Sequence, residues 1–245
     1  MQDQLKAADD ESDSEETKSK SVFTTPSLII LNQRKRIKDV DMGSHHILAL
    51  STYYEIFSWG KNDKGQLGLG FVSTKVDRPT LIQNMIDKRI KSVSAWYDYS
   101  ACLSYFGELY TWGSWKYGKL GNGISKDWQI DFEKVETDDR PIARIGMGKS
   151  HMAAIIAYDS GNEKKDGKTL VWGRNHRGQL GIGTWDNQSI PVEVDRIHQE
   201  NIRLVRITCG SSFTLGITKN KKLYFSGKRK FWGKPNETLN INEMK

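Results

Sequence analysis

Cysteine and histidine are scarce in this chain of 245 residues, with two of the first and five of the second. Cys102 and Cys209 both fall inside short apolar stretches, so they are expected to be buried small hydrophobes rather than a disulfide framework. The histidines, His45, His46, His151, His176 and His198, show no metal-ligand spacing, which argues against a metal site. No apolar run approaches the roughly 20 residues of a membrane helix. The first residues are acidic and resemble no secretory signal, so a reducing compartment is the expected home. The Asn-x-Ser/Thr triplets at Asn187 and Asn236 are then expected to stay unused. Neither a Gly-x-Ser-x-Gly element nor a Gly-x-x-x-x-Gly-Lys-Ser/Thr phosphate loop is present. No window of twelve or more residues keeps a helical period.

Glycine and tryptophan are plentiful, at 22 and 8 residues, and they recur in order. Trp59-Gly60-Lys61-Asn62-Asp63-Lys64-Gly65-Gln66-Leu67-Gly68-Leu69-Gly70 returns with Trp112, Gly113, Gly118, Gly121 and Gly123, and again with Trp172, Gly173, Gly178, Gly181 and Gly183. A glycine-dense element returning about every 50 to 60 residues marks stacked supersecondary units, each needing a neighbour to bury its apolar face.

The copied unit reaches upstream. Gly43, His46, Ala49 and Leu50 precede Phe57 and Trp59; Trp96, Tyr99, Cys102 and Leu103 precede Tyr110 and Trp112 in the same register. Gly148, His151, Ala154 and Ile155 precede Trp172, but the 24 positions from Gly148 to Trp172 exceed the 16 from Gly43 to Trp59 by eight. An insertion therefore lies between Ala157 and Lys168, and its charged, glycine-bearing composition suits an extended hairpin or loop. A fourth unit has Gly210, Phe213 and Ile217, reaches Ser226-Gly227 where the others have Trp-Gly, and has no Gly-Gln-Leu-Gly element.

Apolar runs of four to six residues separated by turn residues are strand punctuation, so each unit is expected to be an antiparallel sheet of about four strands. Gly65, Gly68 and Gly70 and their counterparts supply positive φ in the tight connections. Trp59, Trp112 and Trp172 are expected to be buried where adjacent sheets pack. These residues together resemble the regulator of chromosome condensation repeat family, over roughly Ser27 to Gly233. The resemblance implies an all-β fold, a β-propeller whose members close a ring with seven blades. At about 51° per blade, four units close little more than half of it. The expected division is an acidic tail over 1–21, units near 22–75, 76–138, 139–188 and 189–234, and a C-terminal tail over 235–245. Trp96 in place of the glycine and Tyr99 and Phe213 in place of the histidine make the second and fourth units degenerate. Open ends suggest self-association or completion by another chain.

Charge is uneven along the chain. Residues 1–20 hold seven acidic side chains against three lysines, a net −4, which leaves +11 of the total +7 on the remainder. Such a tail is expected to be disordered, and Ser12 and Ser14 among its carboxylates suit an acidophilic kinase, although a plain solvated charge run accounts for them equally. Arg34, Lys35, Arg36 and Lys38 precede unit one, Lys88, Arg89 and Lys91 hold the equivalent place in unit two, and Arg203 and Arg206 in unit four. Equivalent positions emerge on one side of a propeller, so these could form one basic face for an acidic protein, with nucleic acid or chromatin less favoured; the alternative is ordinary solvated charge.

No catalytic set, cofactor or metal is expected, because His46 and His151 recur at one position and are better explained as packed core residues. The leading reading is a non-enzymatic protein-interaction scaffold. The family's founding member exchanges guanine nucleotide on a Ran-like small GTPase by an inserted apolar wedge, which makes that the alternative; no apolar insertion is found here. A chromatin-associated propeller is a further alternative. A plant-type ultraviolet sensor needs clustered tryptophans in Gly-Trp-Arg-His-Thr, which Ala95-Trp96-Tyr97 does not match. The expected location is intracellular, cytoplasmic or nuclear, with the cilium as another setting the family implies.

Overall fold

The computed structural model describes residues 29, 31, 35–124 and 128–228. Both expected tails, Ser12, Ser14 and Arg34 lie outside the described residues. The short apolar runs become strands that pair with their sequence neighbours. The first sheet is β1 (Ile37–Met42), β2 (His46–Ser51), β3 (Ile56–Asn62) and β4 (Ser73–Leu81). The second is β5 (Ile90–Trp96), β6 (Tyr99–Ser104), β7 (Leu109–Ser114) and β8 (Trp128–Lys134), and the third is β9 (Ile142–Met147), β10 (His151–Ile156), β11 (Thr169–Gly173) and β12 (Gln188–Glu193). The fourth has β13 (Leu204–Cys209), β14 (Phe213–Thr218) and β15 (Leu223–Gly227). The fourth strand expected there has no place before residue 229, where the described residues end. The outer strands β4 and β12 run to Leu81 and Glu193, so the sheets divide somewhat later than the approximate boundaries at 75 and 188.

All pairing is antiparallel, in four meanders. The middle strands β6, β7, β10 and β11 are buried along their whole length because a sheet packs on each face, which is why none of them carries Asp, Glu, Lys or Arg. The first strand of each sheet lies innermost and is half-exposed. It also carries the same bulge in all four sheets, with Lys38, Lys91, Ala143 and Val205 as the extra residues. Successive inner strands lie side by side, β1 by β5 and β9 by β13, and among the described residues no strand pairing joins the fourth sheet back to the first. The result is a partial, unclosed β-propeller.

The inner strands are joined by side chains standing in for a β ladder. Asp39 and Asp41 of β1 each accept from a backbone N–H of β5, Val93 at 3.1 Å and Ala95 at 2.9 Å. The insertion is a short extended hairpin: Tyr158 bridges Asp166, and Asp159 N donates to Lys165 O at 2.6 Å. No helix among the described residues is long and apolar enough to cross a membrane.

Candidate functional site

The repeat residues meet at the seams between sheets. Trp112 is fully buried and its Nε1 donates 2.9 Å to the backbone carbonyl of Gln66, in the Gly-Gln-Leu-Gly turn of the preceding sheet. Ser100 Oγ donates to the same carbonyl at 2.7 Å, and His46 Nε2 lies 2.8 Å from Ser100 Oγ. Gly68 sits beneath the indole with φ +66, and a Cβ there would stand 2.8 Å from Trp112 Nε1. At the second seam, buried Trp172 donates 3.1 Å to Lys119 O over Gly121. At the third, Thr214 Oγ1 and Ser226 Oγ both donate to Gln179 O, at 2.7 and 2.9 Å, and His151 Nε2 lies 2.9 Å from Thr214 Oγ1.

Trp59 departs from expectation. It is half-buried, not buried, because its indole faces the side where a preceding sheet would stand, and the first sheet has none among the described residues. Burial of a repeat tryptophan is a property of the seam and not of the blade that carries it.

The irregular second unit is matched on both sides. Gly43 and Gly148 leave room for the ring of the histidine three residues on, and Gly210 does so for Phe213. Trp96 leaves none, and Tyr99 instead extends across the seam to donate 2.7 Å to Gly148 O. Lys119 stands where the first and third units have glutamine; it is 2% exposed and paired with Asp98, while desolvation pulls its ammonium pKa down. The buried thiols are also accounted for, as burial pushes Cys102 upward and Cys209 up to about 12, leaving neither reactive at neutral pH.

The basic residues divide between two places. Arg36 O, Arg89 O and Pro141 O accept from Thr52 N, Tyr105 N and Ala157 N, so these positions, with Arg203, are equivalent and mark one end of the arc. The tight β2–β3 and β6–β7 turns project there too, the first carrying Tyr53 (62% exposed) and the second Tyr105 (57%) and Phe106 (63%). Cations and rings interleave. Lys35 Nζ stands 5.2 Å over Tyr53, Lys38 Nζ stands 4.7 Å over Tyr54 and 5.1 Å over Tyr105, and Arg203 lies 4.0 Å over Tyr158. Lys88 lies over Tyr110, and Lys35 also pairs with Glu55 at 2.6 Å. Tyr54 holds φ 68 at a turn position where the second unit has Gly107, a conformation costing about 1–2 kcal/mol for a side-chain-bearing residue. In the third sheet the cation nearest this position, Arg140, is tied to Glu193 at 2.6 Å and to Asp166. Lys91 and Arg206 belong elsewhere: with Arg144 they line the inner wall, around a cavity of about 660 Å³. The tyrosines of the turns were not singled out from sequence, although their recurrence beside equivalent basic residues was the available signal.

No group of His, Cys, Asp and Glu among the described residues could hold a metal ion. What the geometry defines is a propeller repeat protein with a basic and aromatic end. The Regulator of chromosome condensation (RCC1) repeat model matches residues 55–103 and 166–217, each running from the end of one sheet's inner half across a seam into the next. The chain is 32% identical over 190 residues to human E3 ubiquitin-protein ligase HERC2, covering 77% of this chain and 4% of that protein. It is 32% identical over 196 residues to the Arabidopsis thaliana Ultraviolet-B receptor UVR8, covering 80% and 42%. Among solved structures, human WBSCR16 superposes with TM-score 0.68 at 22% identity, over 81% of this chain and 49% of that one. Prp20p of Saccharomyces cerevisiae, whose structure was described with its binding to Gsp1p and histones, gives 0.64 at 20%, over 79% and 44%. The chain belongs to the regulator of chromosome condensation repeat family, and it spans less than half the length of these relatives.

Proposed function

We propose that the chain is a non-enzymatic binding module that docks an acidic protein surface on the end formed by Arg36, Arg89, Arg203 and the β2–β3 and β6–β7 turns. The observation that carries this reading is the interleaving of exposed Tyr53, Tyr105 and Tyr158 with Lys35, Lys38 and Arg203 at this end. Tyrosine and arginine dominate binding hot spots because they bury large rigid area and keep a polar handle. Lysines already seated on rings lose less side-chain freedom on docking. Among the described residues at this end no nucleophile and base are brought together, which favours recognition over chemistry.

The test is affinity capture from cell extract with three folded proteins: wild type, an Arg36→Glu/Arg89→Glu/Phe106→Ser variant, and a Trp185→Ser variant altering the opposite end. Partners retained by wild type and Trp185→Ser but lost from the triple variant, with salt-sensitive binding, are the expected result. Retention by the triple variant removes the proposal. Accelerated nucleotide release from a Ran-like GTPase by wild type would replace it with exchange activity.

A further inference from the structure

The three seams are built alike except at one point. Trp112 and Trp172 fill the first two, each inside a cluster of buried apolar residues. At the third, Ser226 takes the tryptophan's place above Gly181, where a Cβ on the glycine would stand 3.1 Å from Ser226 Cβ. The serine reproduces the indole's hydrogen bond to the turn carbonyl but not its bulk. A cavity of about 270 Å³ remains, lined by Val171, Leu180, Val194, Ile197, Leu204 and Tyr224. Its wall also holds Thr169, at a position occupied by Ile56 and Leu109 in the first two sheets. Thr169 is 1% exposed, and its Oγ1 finds no hydrogen-bond partner among the described residues. An interior is ordinarily packed to crystal density, and a buried hydroxyl ordinarily has a partner. Here both rules fail at the same spot.

We infer that this seam is a binding site for a small planar heteroaromatic molecule of the indole class. The ring would lie in the place of the missing side chain against Val171, Leu180 and Leu204, and its N–H would donate to Thr169 Oγ1 once that hydroxyl, buried away from the cavity in the unliganded chain, turns toward the ring. Pockets whose walls are mainly aliphatic and aromatic, with a few polar groups such as Thr169, Thr214 and Ser226 to fix orientation, suit a flat heteroaromatic ring. The mouth is closed on one side by the exposed Arg196–Glu200 pair, at 3.2 Å, which leaves a way in. This inference is independent of the docking end, which lies on other residues.

The experiment uses indole itself as probe, with calorimetric titration and thermal unfolding of the full chain. Saturating indole raises the unfolding midpoint of the wild type by about 2–4 °C. In Ser226→Trp the midpoint rises without indole and the indole-dependent shift disappears. If Ser226→Trp does not fold, Ser226→Leu serves, with the same loss of indole heat. Thr169→Val, which keeps the shape and removes the hydroxyl, weakens indole binding about tenfold. No heat and no shift in wild type overturns the inference, as does an equal shift in wild type and the filled variant, which would place indole elsewhere.

Discussion

His46 Nε2 lies 2.8 Å from Ser100 Oγ, whose own proton is committed to Gln66 O, so the histidine must be the donor. Its proton therefore sits on Nε2, and Nδ1, buried without a partner among the described residues, is the bare nitrogen. His151 repeats this with Thr214 and Gln179. Protonating His46 would create a buried N–H with nothing to bond, while at His151 a backbone bond to Phe213 offsets only part of the cost of burial.

A pH dependence follows. Burial pulls both histidines from 6.5 to about 4. Between these values the unfolded chain takes up a proton that the folded chain refuses, so stability is full above about pH 6.5 and falls as pH drops toward 4. The loss is about 3 kcal/mol for each histidine. Urea unfolding at pH 7.5 and 4.5 should show a smaller difference in a His46→Gln/His151→Gln variant than in wild type. Equal losses would mean that carboxylates such as Glu193 carry the whole effect.

The tryptophans should rank by seam. Trp112→Ala and Trp172→Ala remove fully buried side chains and should each cost about 3–5 kcal/mol, whereas half-buried Trp59→Ala should cost well under that. Denaturant titration of the three variants gives the order. A Trp59 cost matching the others would show that its indole is covered in solution.

Glycine replacements separate two causes of destabilisation. Gly183 has φ +81 and nothing within 4 Å of an added Cβ, so Gly183→Ala should cost only about 1–2 kcal/mol of backbone strain. Gly121 has φ +75 and would drive its Cβ to within 2.5 Å of Trp172 Nε1, so Gly121→Ala should cost clearly more and alter the near-ultraviolet circular dichroism of the indole.

Asp98→Asn should be worse than Lys119→Gln. The first leaves a buried ammonium unpaired, at about 3–5 kcal/mol; the second removes the charge and installs the residue that Gln66 and Gln179 supply at the other two turns. Thermal midpoints of the two variants, and of the double variant, test the ranking.

Sheet number, strand order and the role of the Trp-Gly element were legible because their spacing is local and repeated. Trp59 was not, since its neighbour would lie beyond its own unit. The histidine partners were hidden for the same reason: Ser100 is 54 residues from His46, and no pattern within one unit points to it. The exchange of Trp96 and Tyr99 looked like decay but is a paired change, visible only once the ring is seen to cross the seam. The division of the basic residues between two places is not legible in one unit, because Lys38 and Lys91 hold the same bulge position yet Lys38 reaches the rings of the turns while Lys91 lines the wall.

Stacked units share strength only with their immediate neighbours, so a weakness at one junction is not made good by the rest. Ser226 places that weakness at the last junction of the described residues. On warming, the fourth sheet should peel away while the first three remain assembled, giving two transitions instead of one. Amide exchange would record it as rapid loss of protection over Leu204–Cys209 and Phe213–Thr218, with Tyr99–Ser104 the last to open.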